Sequence, residues 1–428
     1  MEENMGILIQ NGTLVNPAGE ANGMLDLLCE NGKISQIAPH ISTEGHTVVD
    51  ATGKTIVPGL VDMHVHLRDP GLTYKEDIAT GSAAAAAGGI TTVACMPNTK
   101  PACDSAATVR YILDRADQAG LCRVLPIGAV TVGEKGQQRT DFAALKAAGV
   151  CAFSDDGMPV TSAVIMRDAL FAARELGMCI ISHCEDGEMV GNKACNEGKI
   201  SRQLGLPGRP AVAEDLMVAR DVMLAADTGG HVHIAHVSTK GAAQIIRMAK
   251  AAGVSVTAET CPQYFMMTEE LLLEKGTMAR VNPPLRTEED RQAILEAVLD
   301  GTLDCIVTDH APHSQEEKAR PLAEAPSGMV GLETSFAAAM TALVVPGHLS
   351  LAQLIEKMSV VPASILGIEG GCLKIGGRAD LAIVDPDEQW VVDPTKFHSR
   401  ARNTPFAGMR LTGRVKATVC GGKITFQA

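Results

Sequence analysis

Aromatic residues make up only 3% of the 428-residue chain, and there is a single tryptophan. Glycine and alanine are plentiful instead, so the interior is expected to pack helices closely against strands through small side chains. No basic run occurs and the net charge is −13, which argues against nucleic acid or an anionic membrane as partner. An anionic small molecule stays open, because local charge decides that. The twelve cysteines include no CxxC pair and no compact framework; they read as reduced, mostly buried thiols. No run of 18 apolar residues is present to span a bilayer. The start "MEENMGILIQNG" is acidic and lacks a signal-type apolar core, so a cytoplasmic protein is expected.

What the chain does have is bulk: 46% of its residues are hydrophobic, enough for one large domain and a smaller one. Both ends read as β-structure. "ILIQNGTLVNP" and "LDLLCENGKISQIAP" near the start carry NG hairpin signals, and "ADLAIVDPDEQWVVDP" and "GRVKATVCGGKITFQA" near the end repeat the rhythm. A composite β-sandwich domain of residues 1–57 and 372–428 is expected, flanking a middle domain of 58–371.

The middle alternates short apolar runs with helical segments. The runs are "LVDMHVH", "ITTVACMPN", "RVLPIGAV", "VCAFSDD", "CIISHCED", "HVHIAHVS", "VSVTAETCP" and "DCIVTDHAP". Between them lie stretches such as "SAATVRYILDRADQAG" and "TKGAAQIIRMAKAAG", several ending in the glycine that stops a helix. Eight strands alternating with helices predict an α/β fold, a (β/α)8 TIM-type barrel. An open doubly wound sheet fits the periodicity too, but no glycine-rich phosphate loop supports it.

Barrel sites lie at the C-terminal ends of the strands. The first strand ends in His64 and His66, which share a face because strand side chains alternate. The fourth ends in Asp155 and Asp156, the fifth in His183, the sixth in His236 and the eighth in Asp309. Imidazoles and carboxylates in this number form a ligand set for zinc or a similar divalent ion. Singly, each has a plainer reading: a hydrogen-bonded core histidine, a turn cap, or an Asx turn at Asp155–Asp156. Jointly, five strands would have to end in a ligand type by chance. Alternation places His231 and His233 off the face of His236, and His310 off that of Asp309. His46, His348 and His398 fall outside the pattern and read as surface residues.

With these residues assembled, the chain resembles the amidohydrolase superfamily, and within it the bacterial type I dihydroorotases. The motifs span nearly the whole chain: "VPGLVDMHVHLRDPG", "GGITTVACMPNTKP", "FSDDG", "SHCED", "AHVST", "TAETCPQYF", "RVNPPLR", "TDHAPHSQEEK" and "GLETS". The resemblance implies a zinc-dependent, reversible cyclisation of N-carbamoyl-L-aspartate to L-dihydroorotate in pyrimidine biosynthesis. It implies two zinc ions held by His64, His66, Asp156, His183, His236 and Asp309, with Asp156 as the bridge and Asp309 as the acid–base group. Substrate contacts would fall on His66, Arg68, Asn98, Asn282, Asp309, His313, Ser327 and Gly328. Many superfamily members bridge their metals with a carboxylated lysine; "VCAFSDDG" contains none, and Lys146 lies too far upstream. One departure stands out: the usual Pro-Phe-Gly is Pro326-Ser327-Gly328, which removes an apolar wall and leaves the backbone groups.

The resemblance further implies a homo-oligomer and association with aspartate transcarbamoylase. The competing readings are another cyclic amidohydrolase, a hydantoinase or allantoinase, and a non-catalytic dihydroorotase-like partner subunit. "HLRDPG" and the absent bridging lysine argue against the first; the complete ligand set argues against the second.

Overall fold

In the middle of the chain the short apolar runs become parallel strands, buried by the helices between them on one side and by the side chains of the other strands on the other. The computed structural model describes residues 6–428, so the first five residues of the expected 1–57 segment lie outside the described residues. Leu60–Val65 pairs with Ile90–Cys95, and that strand with Arg123–Pro126. The third run continues through Gly128–Ala129 to pair with Phe153–Ser154. Cys179–Ser182, His231–Ile234, Val256–Thr260 and Cys305–Ile306 follow, each parallel to its predecessor. A parallel bridge between Val65 and His310 and a 2.8 Å bond from the His66 N–H to the His310 carbonyl bring the eighth run back to the first.

The helices start and stop where their sequence dictates. Ser105 caps Ala106–Ala119 by accepting from the Thr108 N–H, and Gly120 ends it at φ 61°. Thr239 caps Lys240–Ala251 in the same way. The helix Ile78–Ala87 buries Gly81, Ser82 and Ala84 to Ala86 and opens with a capping box between Asp77 and Thr80. Close packing through small residues is visible just past its end: a Cβ on Gly88 would lie 2.1 Å from the Leu332 carbonyl oxygen. All twelve cysteines are free, and nine are buried.

Both chain ends contribute to one six-stranded sheet, ordered Lys423–Gln427, Arg410–Cys420, Leu381–Val391, Thr55–Pro58, Thr13–Leu14, Gly23–Met24. A four-stranded sheet of Lys33–Ala38, Asp26–Glu30, Ile7–Gln10 and Thr47–Asp50 accompanies it. Ile9, Leu27, Ile34, Ile56, Leu381 and Val419 form a core of their own, separate from the one around the parallel strands. Among the described residues no helix is long and apolar enough to cross a membrane.

Candidate metal centre and substrate cavity

The six expected ligands converge although 245 positions separate His64 from Asp309. Asp156 lies at the centre. Its Oδ2 is 3.4 Å from His64 Nε2 and 3.3 Å from His66 Nε2. Its Oδ1 is 3.6 Å from His183 Nδ1 and 3.4 Å from His236 Nε2. Asp309 Oδ1 sits 3.2 Å from His66 Nε2 and 3.6 Å from His64 Nε2. All six side chains are buried. Asp155, the other aspartate of the pair, turns away and accepts from the Thr131 N–H at 3.0 Å and from the Thr131 hydroxyl.

The donor set fits divalent cations. His64 Nε2, Asp156 Oδ1 and His236 Nδ1 are shut off from solvent without a hydrogen-bond partner, and an unsatisfied buried polar group costs about 1–3 kcal/mol. His64, Asp156 and His236 form one group able to hold a metal, and His64, His66 and Asp309 form another. Burial works against the charged form of His183, but bonds to Asp156 and Glu185 outweigh it and lift its pKa to about 9. The cluster therefore binds positive charge firmly, and protons and metal compete for it.

Backbone geometry aims these groups. Arg68, His236 and Asp309 are three of the six non-glycine residues at positive φ among the described residues, at 60°, 33° and 49°, the kind of local strain that a surrounding fold sustains at functional sites. The turn at His236 also overrides strand alternation. His233, expected off this face, is fully buried beneath the cluster, with Nε2 3.1 Å from Glu259 Oε2. His310 does point away, its Nε2 3.4 Å from Glu76 Oε2.

A cavity of about 250 Å³ opens over the cluster, lined by all the expected contact residues and by Arg209. Asn98 Oδ1 meets His66 Nδ1 at 2.9 Å, and its Nδ2 donates to the Asp156 carbonyl at 3.3 Å. Arg68 is buried and donates from Nε to the Pro312 carbonyl at 3.3 Å. It is not paired with Asp69, which accepts from the Tyr111 hydroxyl, nor with Glu76, which takes the Ser399 hydroxyl. Asn282 Nδ2 lies 3.4 Å from His183 Nε2. His313 Nε2 donates to the Ser327 carbonyl at 2.9 Å. Ser327 Oγ accepts from Arg280 Nε at 3.3 Å. Gly328 has φ 138°, and a Cβ there would come within 2.8 Å of Ala311.

Three contributors escaped the sequence reading. Glu259 Oε1 takes His64 Nδ1 at 2.5 Å; its signal was a carboxylate two residues from Thr257, on the same face of the strand Val256–Thr260. Glu185 lies two residues past His183 in "SHCED" and 3.5 Å from its ring. Arg209 ends the short strand Gly208–Arg209, outside the eight apolar runs, and its position in the sequence carried no signal.

Comparisons with known proteins identify the family. The chain is 48% identical over 418 residues to the dihydroorotase of Acetivibrio thermocellus, covering 98% of each. It is 49% identical over 424 residues to that of Pelobacter propionicus, covering 99% of this chain and all of the other. The chain belongs to the dihydroorotase family. A family description, Dihydro-orotase-like, matches residues 53–242. Among solved structures, this dihydroorotase-family chain is similar to an L-hydantoinase (dihydropyrimidinase) from Arthrobacter aurescens, with TM-score 0.86 and 26% identity over 98% of this chain and 96% of the other. A D-hydantoinase gives the same TM-score at 25% identity, covering 98% of this chain and 95% of the other. The fold is thus the mixed α/β fold of the amidohydrolases, and family membership carries a cyclic amidohydrolase activity.

Proposed function

We propose that the chain is a zinc-dependent dihydroorotase that interconverts N-carbamoyl-L-aspartate and L-dihydroorotate. One observation carries this reading: the two oxygens of Asp156 divide four imidazoles into pairs, His64 with His66 and His183 with His236. A carboxylate so placed suits a bridge between two zinc ions, with Asp309 completing the first set. Zinc ions held there would supply hydroxide near neutral pH and polarise the amide carbonyl, the two things that water and an amide lack.

The remaining steps belong to the protein. In hydrolysis the Asp309 carboxylate accepts the proton released on attack and passes it to the departing ring nitrogen. In cyclisation the same group starts protonated. The Arg68 guanidinium pairs with the substrate carboxylate that does not react, since its planar fork matches a carboxylate and burial strengthens the contact. Asn98, Asn282 and His313 orient the substrate, and the backbone at Ser327–Gly328 closes the wall. Asn98 also holds the His66 ring through Nδ1.

The proposed architecture is a (β/α)8 barrel of residues 58–371 with a β-sandwich formed by 1–57 and 372–428. The paired parallel strands and the shared terminal sheet support it. The family resemblance supports a cytoplasmic homo-oligomer that associates with aspartate transcarbamoylase. The test compares hydrolysis of dihydroorotate and hydantoin by the purified protein, before and after chelation, with the metal counted. Dihydroorotate turnover that falls on chelation and returns with zinc is expected. Preference for hydantoin, or full activity in a metal-free preparation, would overturn the reading.

A further inference from the structure

Arg209 is the second guanidinium of the cavity, and the fold spends considerable structure on holding it there. Residues Cys195 and Asn196 pair in parallel with Gly208 and Arg209. That contact is so close that a Cβ on Gly208 would lie 2.3 Å from the Glu197 Cα. The Arg209 carbonyl accepts from the Glu197 N–H at 2.9 Å and from Arg286 Nη1 at 3.3 Å. Its side chain is fixed as firmly: Nε donates to the Lys193 carbonyl at 2.7 Å, and Nη1 to both Glu185 oxygens at 3.1 and 2.9 Å and to Asn282 Oδ1. These bonds use Nε and Nη1. Nη2 has no hydrogen-bond partner among the described residues, and it is not one of the sealed, unsatisfied atoms.

The two guanidiniums serve opposite flanks. Arg68 stands beside His66 and Asp309, the pair that meets at 3.2 Å. Arg209 stands beside His183 through Glu185 and Asn282. The open-chain substrate carries two carboxylates and the ring only one. We propose that Arg209 binds, through Nη2, the carboxylate that condenses, and so sets how tightly the open-chain acid is held relative to the ring. The inference rests on the dihydroorotase reading above and deepens it.

The chemistry fixes what such a contact does. In ring closure the ureido nitrogen bonds to the carboxyl carbon and a C–O bond breaks. The oxygen leaves as water with the ureido N–H proton and the proton from Asp309, so a dianion and one proton become a monoanion and water. Negative charge stays on the carboxyl oxygens through the tetrahedral stage and vanishes in the ring carbonyl. Arg209 therefore stabilises the bound open-chain acid and the transition state alike, and leaves the bound ring unaffected. Its orientation is set in advance by Glu185 and Lys193, so little ordering opposes the contact.

The test is steady-state kinetics of the metal-loaded protein in both directions for Arg209→Gln and Arg209→Lys. The equilibrium constant ties the two kcat/KM values together, so the loss must appear in both directions but in different constants. A lost charge-assisted contact of ordinary strength predicts about a tenfold rise in KM for carbamoyl-aspartate with Arg209→Gln and about a tenfold fall in kcat for dihydroorotate hydrolysis. The cyclisation kcat and the dihydroorotate KM should stay near wild type, and Arg209→Lys should recover part of the loss. A parallel fall in both kcat values, four unchanged constants, or loss of metal from both variants would overturn the assignment, the last by making Arg209 a strut for His183. Wild-type turnover of dihydroorotate tests the underlying reading separately.

Discussion

His64 and Glu259, 195 residues apart, meet at 2.5 Å between Nδ1 and Oε1. The contact fixes the ring so that Nε2 faces Asp156, while the second Glu259 oxygen takes His233. Burial would raise the Glu259 carboxyl, but His64 and His233 hold its pKa down to about 2, so it stays an acceptor and keeps His64 directed at the proposed metal pair.

Replacing Glu259 by Gln should therefore weaken metal binding before it changes the fold. Removing such a partner of a ligating histidine typically costs 10- to 100-fold in metal affinity or activity. Chelator competition followed by metal analysis would measure it; unchanged affinity would show that His64 orients itself.

Asp309→Asn should keep the fold and lose most turnover, because the amide can neither accept nor return the proton. A loss of about 10²- to 10⁴-fold is expected for a group acting in general acid–base catalysis. Dihydroorotate hydrolysis, with circular dichroism to confirm folding, checks this; near-wild-type rates would remove the acid–base role.

Glu134 gives a pH dependence of stability. Burial, with Asp155, Asp156 and Asp104 nearby, pushes its pKa up to about 9 from 4.5, and its Oε1 is sealed without a partner. Between those values the unfolded chain releases a proton that the folded one keeps. The folded state then binds more protons, so this group's contribution to stability falls as pH rises through that window and levels off above it. Glu134→Gln should raise the thermal midpoint, by a margin that widens from pH 5 to pH 9. A pH-independent difference would refute the assignment.

Ser327→Phe restores the apolar wall of the family pattern but removes the oxygen that Arg280 contacts. Since Ser327 touches no group that moves a proton, the change should alter KM for both substrates and leave both kcat values close to wild type, the mark of uniform binding. A selective fall in kcat would place this wall in the chemistry.

The run order of the parallel strands, the helices between them and the six ligand candidates were all legible in the sequence, because each rests on local pattern. Hydrophobic periodicity and caps report nearest neighbours, and a strand end is where a ligand must stand. "FSDDG" left Asp155 and Asp156 equal by pattern alone; only the Thr131 hydrogen bonds and the four imidazoles separate them. Alternation misplaced His233 because it assumes a straight strand, and the chain turns at His236 to φ 33°.

Tertiary structure alone decided which distant groups contact the ligand candidates. Glu259, Glu185 and Arg209 meet the candidate site through contacts across the strand ends, and such contacts leave no periodic trace along the chain. The amino-acid order determined which side chains could reach a common mouth, through two local rules, side-chain alternation and helix termination. The packing of the parallel strands determined which of them touch, because burial turns an ordinary carboxylate or guanidinium into a group that must find a partner.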